Sequence, residues 1–143
     1  MENYNPQTLY YCCLWALLCY VYIDARAQGA LTLLSREFIP PTAQQRLNQP
    51  LHRAYPACYA LLVFTVAFLM RNPWLLLAGV LVRVAVFDPI LNWRKGDPAF
   101  AVGSSASTDK AIRFIAKLLH ANPSVVSAVV RGMAFGLLYV LPV

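Results

Sequence analysis

Seven residues of this chain have types and positions suited to chemistry in apolar surroundings: Asp24, Arg83, Asp88, Asn92, Arg94, Asp109 and Arg131. Four of them crowd into residues 81–96, LVRVAVFDPILNWRKG. Asp88 and Asn92 stand four apart, so on a helix they share a face and could offer oxygen ligands to a cation. Arg94 and Lys95 could hold a lipid phosphate. Together with Asp109 and the Ser-rich stretch 103–108 (GSSAST), these groups would suit phospholipid headgroup chemistry at a membrane surface. The string completes no known catalytic motif, so enzyme or non-enzyme is left open. Neither the cysteines nor the histidines have metal-ligand spacing, and the cofactor question is left open.

Arg83 raises the sharper physical question. It lies about halfway between Trp74 and Trp93, in the middle of a long oily run. In hydrocarbon an unpaired arginine costs from about 2.5 to over 10 kcal/mol, so it must snorkel, reach water or pair. Asp88, five residues on, points about 140° away around a helix and is a poor partner on the same face. Arg131, about 12 Å from one end of the last apolar stretch, and Asp88, about 7–8 Å from the same side, are at depths that allow contact between two helices. The expectation is a polar cluster of Asp24, Arg83, Asp88, Asn92 and Arg131. Pro89 disfavours the α conformation of the residue before it, so a kink or break is expected at Asp88. The Asp88 carboxylate would then cap the half-helix that follows.

These residues sit in a chain that cannot cover itself with charge. Of 143 residues 59% are hydrophobic and only 13% charged, against about 45–50% and about 25% in soluble domains. Mean hydropathy is +0.53. The chain therefore reads as a single integral membrane domain, all-α. The net charge of +6 does not indicate nucleic acid, because the basic residues are spread over two connections without an aromatic-rich polar face. Anionic lipid is the simpler counterpart. Cys12, Cys13, Cys19 and Cys58 fall in apolar runs without CxxC spacing and read as small hydrophobes. Residues 1–8 carry only Glu2 as a charge, so a cleavable leader is not expected and the first apolar run should stay in the membrane.

About four transmembrane helices are expected, at roughly 6–25, 56–71, 74–93 and 123–141. Asn5-Pro6 and Asn122-Pro123 supply caps followed by proline at the first helical position. Arg71-Asn72-Pro73 makes a tight turn, which forces the second and third spans antiparallel. Trp74 and Trp93 bracket the third, as indoles do at the two interfaces. Arg26, Arg36, Arg46 and Arg53 lie in the connection 26–55; Arg94, Lys95, Lys110, Arg113 and Lys117 lie in 94–122; Arg71 stands alone on the other side. The positive-inside rule then places both connections in the cytoplasm and both termini outside, in a bacterial inner membrane.

Residues 29–39 (GALTLLSREFI) are apolar enough to lie along the membrane before Pro40-Pro41, and 96–108 reads as irregular. Ser107 or Thr108 could cap a helix over 109–120 (DKAIRFIAKLLH). Ala111, Ile112, Ile115, Leu118 and Leu119 recur there at helical spacing, away from Lys110, Arg113 and Lys117, as in a helix lying on the cytoplasmic leaflet. Ser124, Ala128, Gly132 and Gly136 recur every four residues, a small-residue stripe that lets helix backbones approach, within one chain or between copies. His52 and His120 lie at connection–membrane boundaries, without partners at metal or nucleophile spacing. His52 is a catalytic candidate only through its expected side of the membrane.

Phe87, Asp88, Asn92, Gly96, Gly103 and Asp109, about a sixth of the chain, resemble an F-D-x-x-x-N-x-x-R-G stretch, then a glycine and an aspartate, in small bacterial or phage integral membrane proteins. Arg94 stands one place off that pattern. The resemblance implies that the motif matters and carries no catalytic residue across. The favoured function is a non-enzymatic accessory or assembly subunit, with membrane lipid, a second copy or a larger membrane complex as partners. The alternatives are a headgroup-binding protein or membrane enzyme using Asp88, Asn92, Arg94 and Asp109, and a holin-like pore or small transporter with Arg83 and Arg131 facing water.

Overall fold

The computed structural model describes residues 5–38, 41–103 and 107–141, and these form helices joined by turns with no strand among them. They are α1 (Pro6–Phe38), α2 (Pro41–Leu69), α3 (Trp74–Val82), a π-helical segment (Arg83–Phe87), α4 (Asp88–Lys95), α5 (Ser107–Leu118) and α6 (Pro123–Leu137). α3, the π segment and α4 make one unbroken rod of 22 residues, Trp74–Lys95. That rod and Gln7–Ser35 of α1 are long and apolar enough to cross a membrane, whereas Ala54–Leu69 and Pro123–Leu137 are apolar but shorter.

Asn-Pro pairs open three of the helices. Asn5 Oδ1 accepts from the Gln7 N–H at 3.0 Å and Asn122 Oδ1 from the Ser124 N–H at 2.9 Å, as the sequence predicts. Asn72 Oδ1 does the same for Trp74 at 3.0 Å. The ends are as well defined. Asp97 donates to Asn92 O and Gly96 to Trp93 O, a Schellman closure with Gly96 left-handed at φ 79°. The same pair of bonds closes α2 at Arg71 (φ 50°) and α5 at His120 (φ 51°), where no glycine is present. Arg71 thereby turns α2 straight back along α3.

Two sequence expectations are corrected by the backbone. The described residues of 26–55 are helical: α1 runs on through Asp24 and Arg26 to Phe38, and α2 is already helical from Pro41. Asp24 therefore ends nothing; it sits inside a 33-residue helix. The segment 29–38 continues α1 with Gly29 buried against α4, while Leu31, Leu34 and Phe38 stay exposed. A Cβ on buried Gly29 would lie 2.6 Å from Arg94 Cγ. Pro89 likewise does not break its helix. Asp88 is α-helical (φ −69°, ψ −37°), and the extra residue per turn of the π segment absorbs the proline ring.

The core runs along one side of each rod. Tyr10, Leu17 and Val21 of α1, Tyr59, Val63 and Ala67 of α2, and Leu75, Ala78 and Val82 of α3 interlock with Leu138 beyond α6. Buried Gly79 lets α2 come close, since a Cβ there would meet Val63 Cγ1 at 2.5 Å. α1 lies along the whole α3–π–α4 rod, with residue numbers rising together from Asp24–Arg83 to Gly29–Arg94, so the two run parallel. α6 packs on α3 and the π segment, and α5 rests on α6. The opposite faces are apolar and open: Trp15 (67% exposed), Ile23, Leu61, Phe64, Phe68, Val80, Val129 and Met133 all point outward.

Candidate functional site

Two ion pairs, each with one buried and one half-buried member, cross-brace the helices. Arg83 Nη1 meets Asp24 Oδ2 at 3.2 Å, joining the π segment to α1. Arg131 Nη2 meets Asp88 Oδ2 at 2.9 Å, joining α6 to α4. The Asp88–Arg131 contact is the one that the depths along the sequence allow, and Arg83 finds Asp24 rather than its neighbour Asp88.

Arg83 is held on several sides. Its guanidinium lies 4.2 Å from the Phe87 ring centre and 5.1 Å from that of Tyr59. Tyr59 is itself fixed, because its hydroxyl donates to Gly79 O at 2.8 Å and its ring stacks on Tyr20. The other oxygen of Asp24, Oδ1, accepts from Gln28 Nε2 at 2.8 Å. An arginine between two aromatic faces and a carboxylate has its charge offset on several sides.

Arg131 uses its whole fork. Nη2 serves Asp88, Nε donates to Ser127 Oγ at 2.9 Å, and Nη1 donates to Val84 O at 2.9 Å. The last bond explains the π segment. In π register the donor for Val84 O is five residues on, at Pro89, which has no N–H. Arg131 supplies the missing donor from another helix. A carbonyl orphaned in an apolar interior costs several kcal/mol, so this guanidinium completes the backbone as well as the ion pair. Asp88 accordingly does not cap α4, whose first turn shows no side-chain cap; its carboxylate turns sideways to Arg131.

The remaining candidates separate from this centre. Asn92 is buried, but Nδ2 donates to Ala99 O at 3.2 Å and Ala101 O at 2.9 Å, pinning the 96–103 connection to α4. Arg94 lays its stem along Gly29 on α1 and leaves its end exposed. Asp109 closes over Gly103, where a Cβ would come within 2.6 Å of its Oδ2. Arg113, just beyond, donates to Gly103 O and Val102 O. Burial pushes the Asp109 carboxyl above its ordinary value and the Asp88 carboxylate adds to the rise, against the lowering pull of Arg131, Arg113 and Lys95. Asp109 thus lies within the electrostatic reach of the Asp88–Arg131 pair.

Of the small-residue stripe, Ala128 is half-buried and the other three positions are open. These are Ser124, Gly132 and Gly136, and a Cβ on either glycine would meet nothing within 4 Å. The side chain of His52 lies outside the described residues, and exposed His120 serves as the left-handed closure of α5. The sequence reading missed Gln28, Tyr59 and Ser127. Two of these had a visible signal, since Gln28 is four residues after Asp24 and Ser127 four before Arg131. Among the described residues no group of three or more His, Cys, Asp or Glu is placed to hold a metal ion. No family model, curated protein or solved structure matches the chain.

Proposed function

We propose that this chain is a four-span protein of the bacterial inner membrane, with both termini outside, acting without catalysis as an accessory or assembly subunit. The observation that carries the reading is the fate of the deepest charges. Asp24, Arg83, Asp88 and Arg131 neutralise one another in pairs, and Asp24 also engages Gln28 while Arg131 also engages Ser127 and Val84 O. Such groups brace helices; a catalytic set needs some of them free to act on substrate.

Several features support the four spans. The apolar windows of α1 and of the Trp74–Lys95 rod are only 28% and 22% buried, the reverse of a soluble core helix. α2 is tied to that rod by a turn at 70–73 and packs along it, so if the rod crosses, Ala54–Leu69 crosses beside it. α6 carries Arg131 to the level of Val84 and belongs to the same bundle. Assembly is supported by the open face at Gly132 and Gly136, which offers a helix close approach and is not filled from within. Against the headgroup-enzyme alternative, Asn92 is engaged with backbone and Asp88 with Arg131, although Arg94 keeps an exposed end beyond Gly29. Against the pore alternative, Arg83 and Arg131 are each engaged with a carboxylate.

Site-directed crosslinking in native membranes tests the proposal. A photoreactive residue at Gly136 should give one discrete protein adduct heavier than the 16.0 kDa chain, abolished by Gly132→Leu. Crosslinks to lipid alone would refute it.

A further inference from the structure

We propose that the exposed face of α5 is a binding surface for anionic phospholipid, an inference that rests on the membrane-spanning reading above. α5 uses only part of its apolar surface inside the protein: Ile112 and Ala116 are buried with Val126 against Val102 and Val130. Phe114 (69% exposed), Leu118 (70%), Leu119 (62%) and Ile115 (38%) are left over. At 100° per residue these four span an arc of about 140°, continuous with the buried edge on one side. On the other side Lys110 and Lys117 border Phe114 within about 60°; both are exposed.

The charges around the arc are sorted in a way that favours a lipid surface over a protein. Asp109 is the acid in the helix's first turn, and it turns away from the arc onto Gly103. Arg113 is spent on Gly103 O and Val102 O, which locks the helix to its own connection. What remains facing outward is a broad apolar strip with two lysines along its border and no acid to offset them. That is the pattern of a helix lying in the headgroup–acyl boundary, apolar residues in the chains and lysines among the phosphates. α6 likewise leaves Val125 and Val129 exposed. Each lysine near an anionic surface strengthens binding by ~5-fold, so two give up to ~25-fold preference.

The test uses the full chain reconstituted in vesicles mixing phosphatidylcholine and phosphatidylglycerol, one or the other brominated. A single tryptophan is placed by Phe114→Trp with the exposed Trp15, Trp74 and Trp93 changed to Phe. Quenching should be several-fold stronger by brominated phosphatidylglycerol than by brominated phosphatidylcholine. Lys110→Glu with Lys117→Glu should erase the difference while leaving quenching itself. Equal quenching by the two lipids before the lysines are changed overturns the lipid selectivity. No quenching by either overturns lipid contact altogether. A companion chain keeping only Trp74 must be quenched by both lipids alike; if it is not, the membrane-spanning reading fails, and α5 with it.

Discussion

Arg131 and Pro89 should be energetically coupled although their link runs through a backbone carbonyl. Val84 O lacks a backbone donor because Pro89 has none to give, and Arg131 Nη1 occupies that acceptor at 2.9 Å. Arg131→Met removes the donor, the Ser127 bond and the Asp88 pair together. Breaking a buried pair costs about 3–5 kcal/mol. Asp88 is 28% open and can hydrate in part, so the loss should fall at the lower end. Of that loss, the orphaned carbonyl accounts for about 1–3 kcal/mol. Pro89→Ala restores an N–H next to the bare acceptor. It should recover ~1–2 kcal/mol in the Arg131→Met chain and far less in the native chain, where Arg131 already serves Val84. Arg131→Lys separates the two roles, because an ammonium can hold Asp88 but lacks the planar fork that reaches Ser127 and Val84 as well. The coupling to Pro89 should therefore survive in the lysine chain. The assay is reversible unfolding of the four chains of the cycle in mixed micelles, followed by circular dichroism. Additivity of Arg131→Met and Pro89→Ala to within ~0.5 kcal/mol would refute the account of the π segment.

Other expectations follow from single contacts. His120 closes α5 in the left-handed region at φ 51°, which costs a side chain about 1 kcal/mol; His120→Gly should stabilise the protein by about that much in the same unfolding assay. Gly79→Ala should destabilise by ~1–3 kcal/mol, because its Cβ would meet stiff Val63 at 2.5 Å, and Tyr59 is bonded to the same residue. Gly132→Ala should instead gain up to ~1 kcal/mol of helix propensity in the isolated chain, where nothing lies within 4 Å. Asp109 has a folded-state carboxyl raised above the 3.8 of the unfolded chain, chiefly by burial. It thus adds stability below that value and withdraws it as pH rises through the folded value. Asp109→Asn should be more stable than the native chain at neutral pH, and the difference should close on acidification; a constant difference across the titration would disprove this.

Much of this was legible in the residues, for reasons that are local or geometric. Asn-Pro pairs announce helix starts because one residue caps and the next needs no donor, and they do so at Asn5 and Asn122. The Asp88–Arg131 pair could be read because depth along two apolar runs is a one-dimensional quantity. Arg83 was harder: its partner lies 59 residues away on α1, in a helix whose length hydropathy had cut short at Asp24. Hydropathy marks where a helix leaves oil and is blind to where it stops being a helix. Pro89 misled for a related reason. Local sterics forbid a regular α turn there, and a π turn with a donor borrowed from α6 satisfies the same sterics without a break. Gly132 and Gly136 read as a packing stripe, and whether a stripe faces the parent chain is decided by α6's rotation about its axis, which four-residue spacing leaves undetermined.

The two ion pairs also explain how four apolar rods choose one arrangement. Outward faces rich in Leu, Val and Phe would pack almost as well after a helix rotated or slid by a turn. A one-turn slide moves a side chain by about 5.4 Å. For α1 that would pull Asp24 from Arg83 and take Gly29 off the Arg94 stem together, leaving two charges bare and an α1 side chain against that stem. For α6 it would pull Arg131 from Asp88, Ser127 excepted because it travels along, and would strip Val84 O of its donor. Buried pairs add little net stability over apolar substitutes, but each wrong register strands a charge at a cost of several kcal/mol. Swapping Asp24 with Arg83, and Asp88 with Arg131, tests this directly. A lock that sets register through charge alone would keep the first pair after exchange but at a loss, because the Tyr59 and Phe87 faces would then meet a carboxylate in place of the guanidinium. It would reject the second, because an aspartate at position 131 has no proton to give Val84.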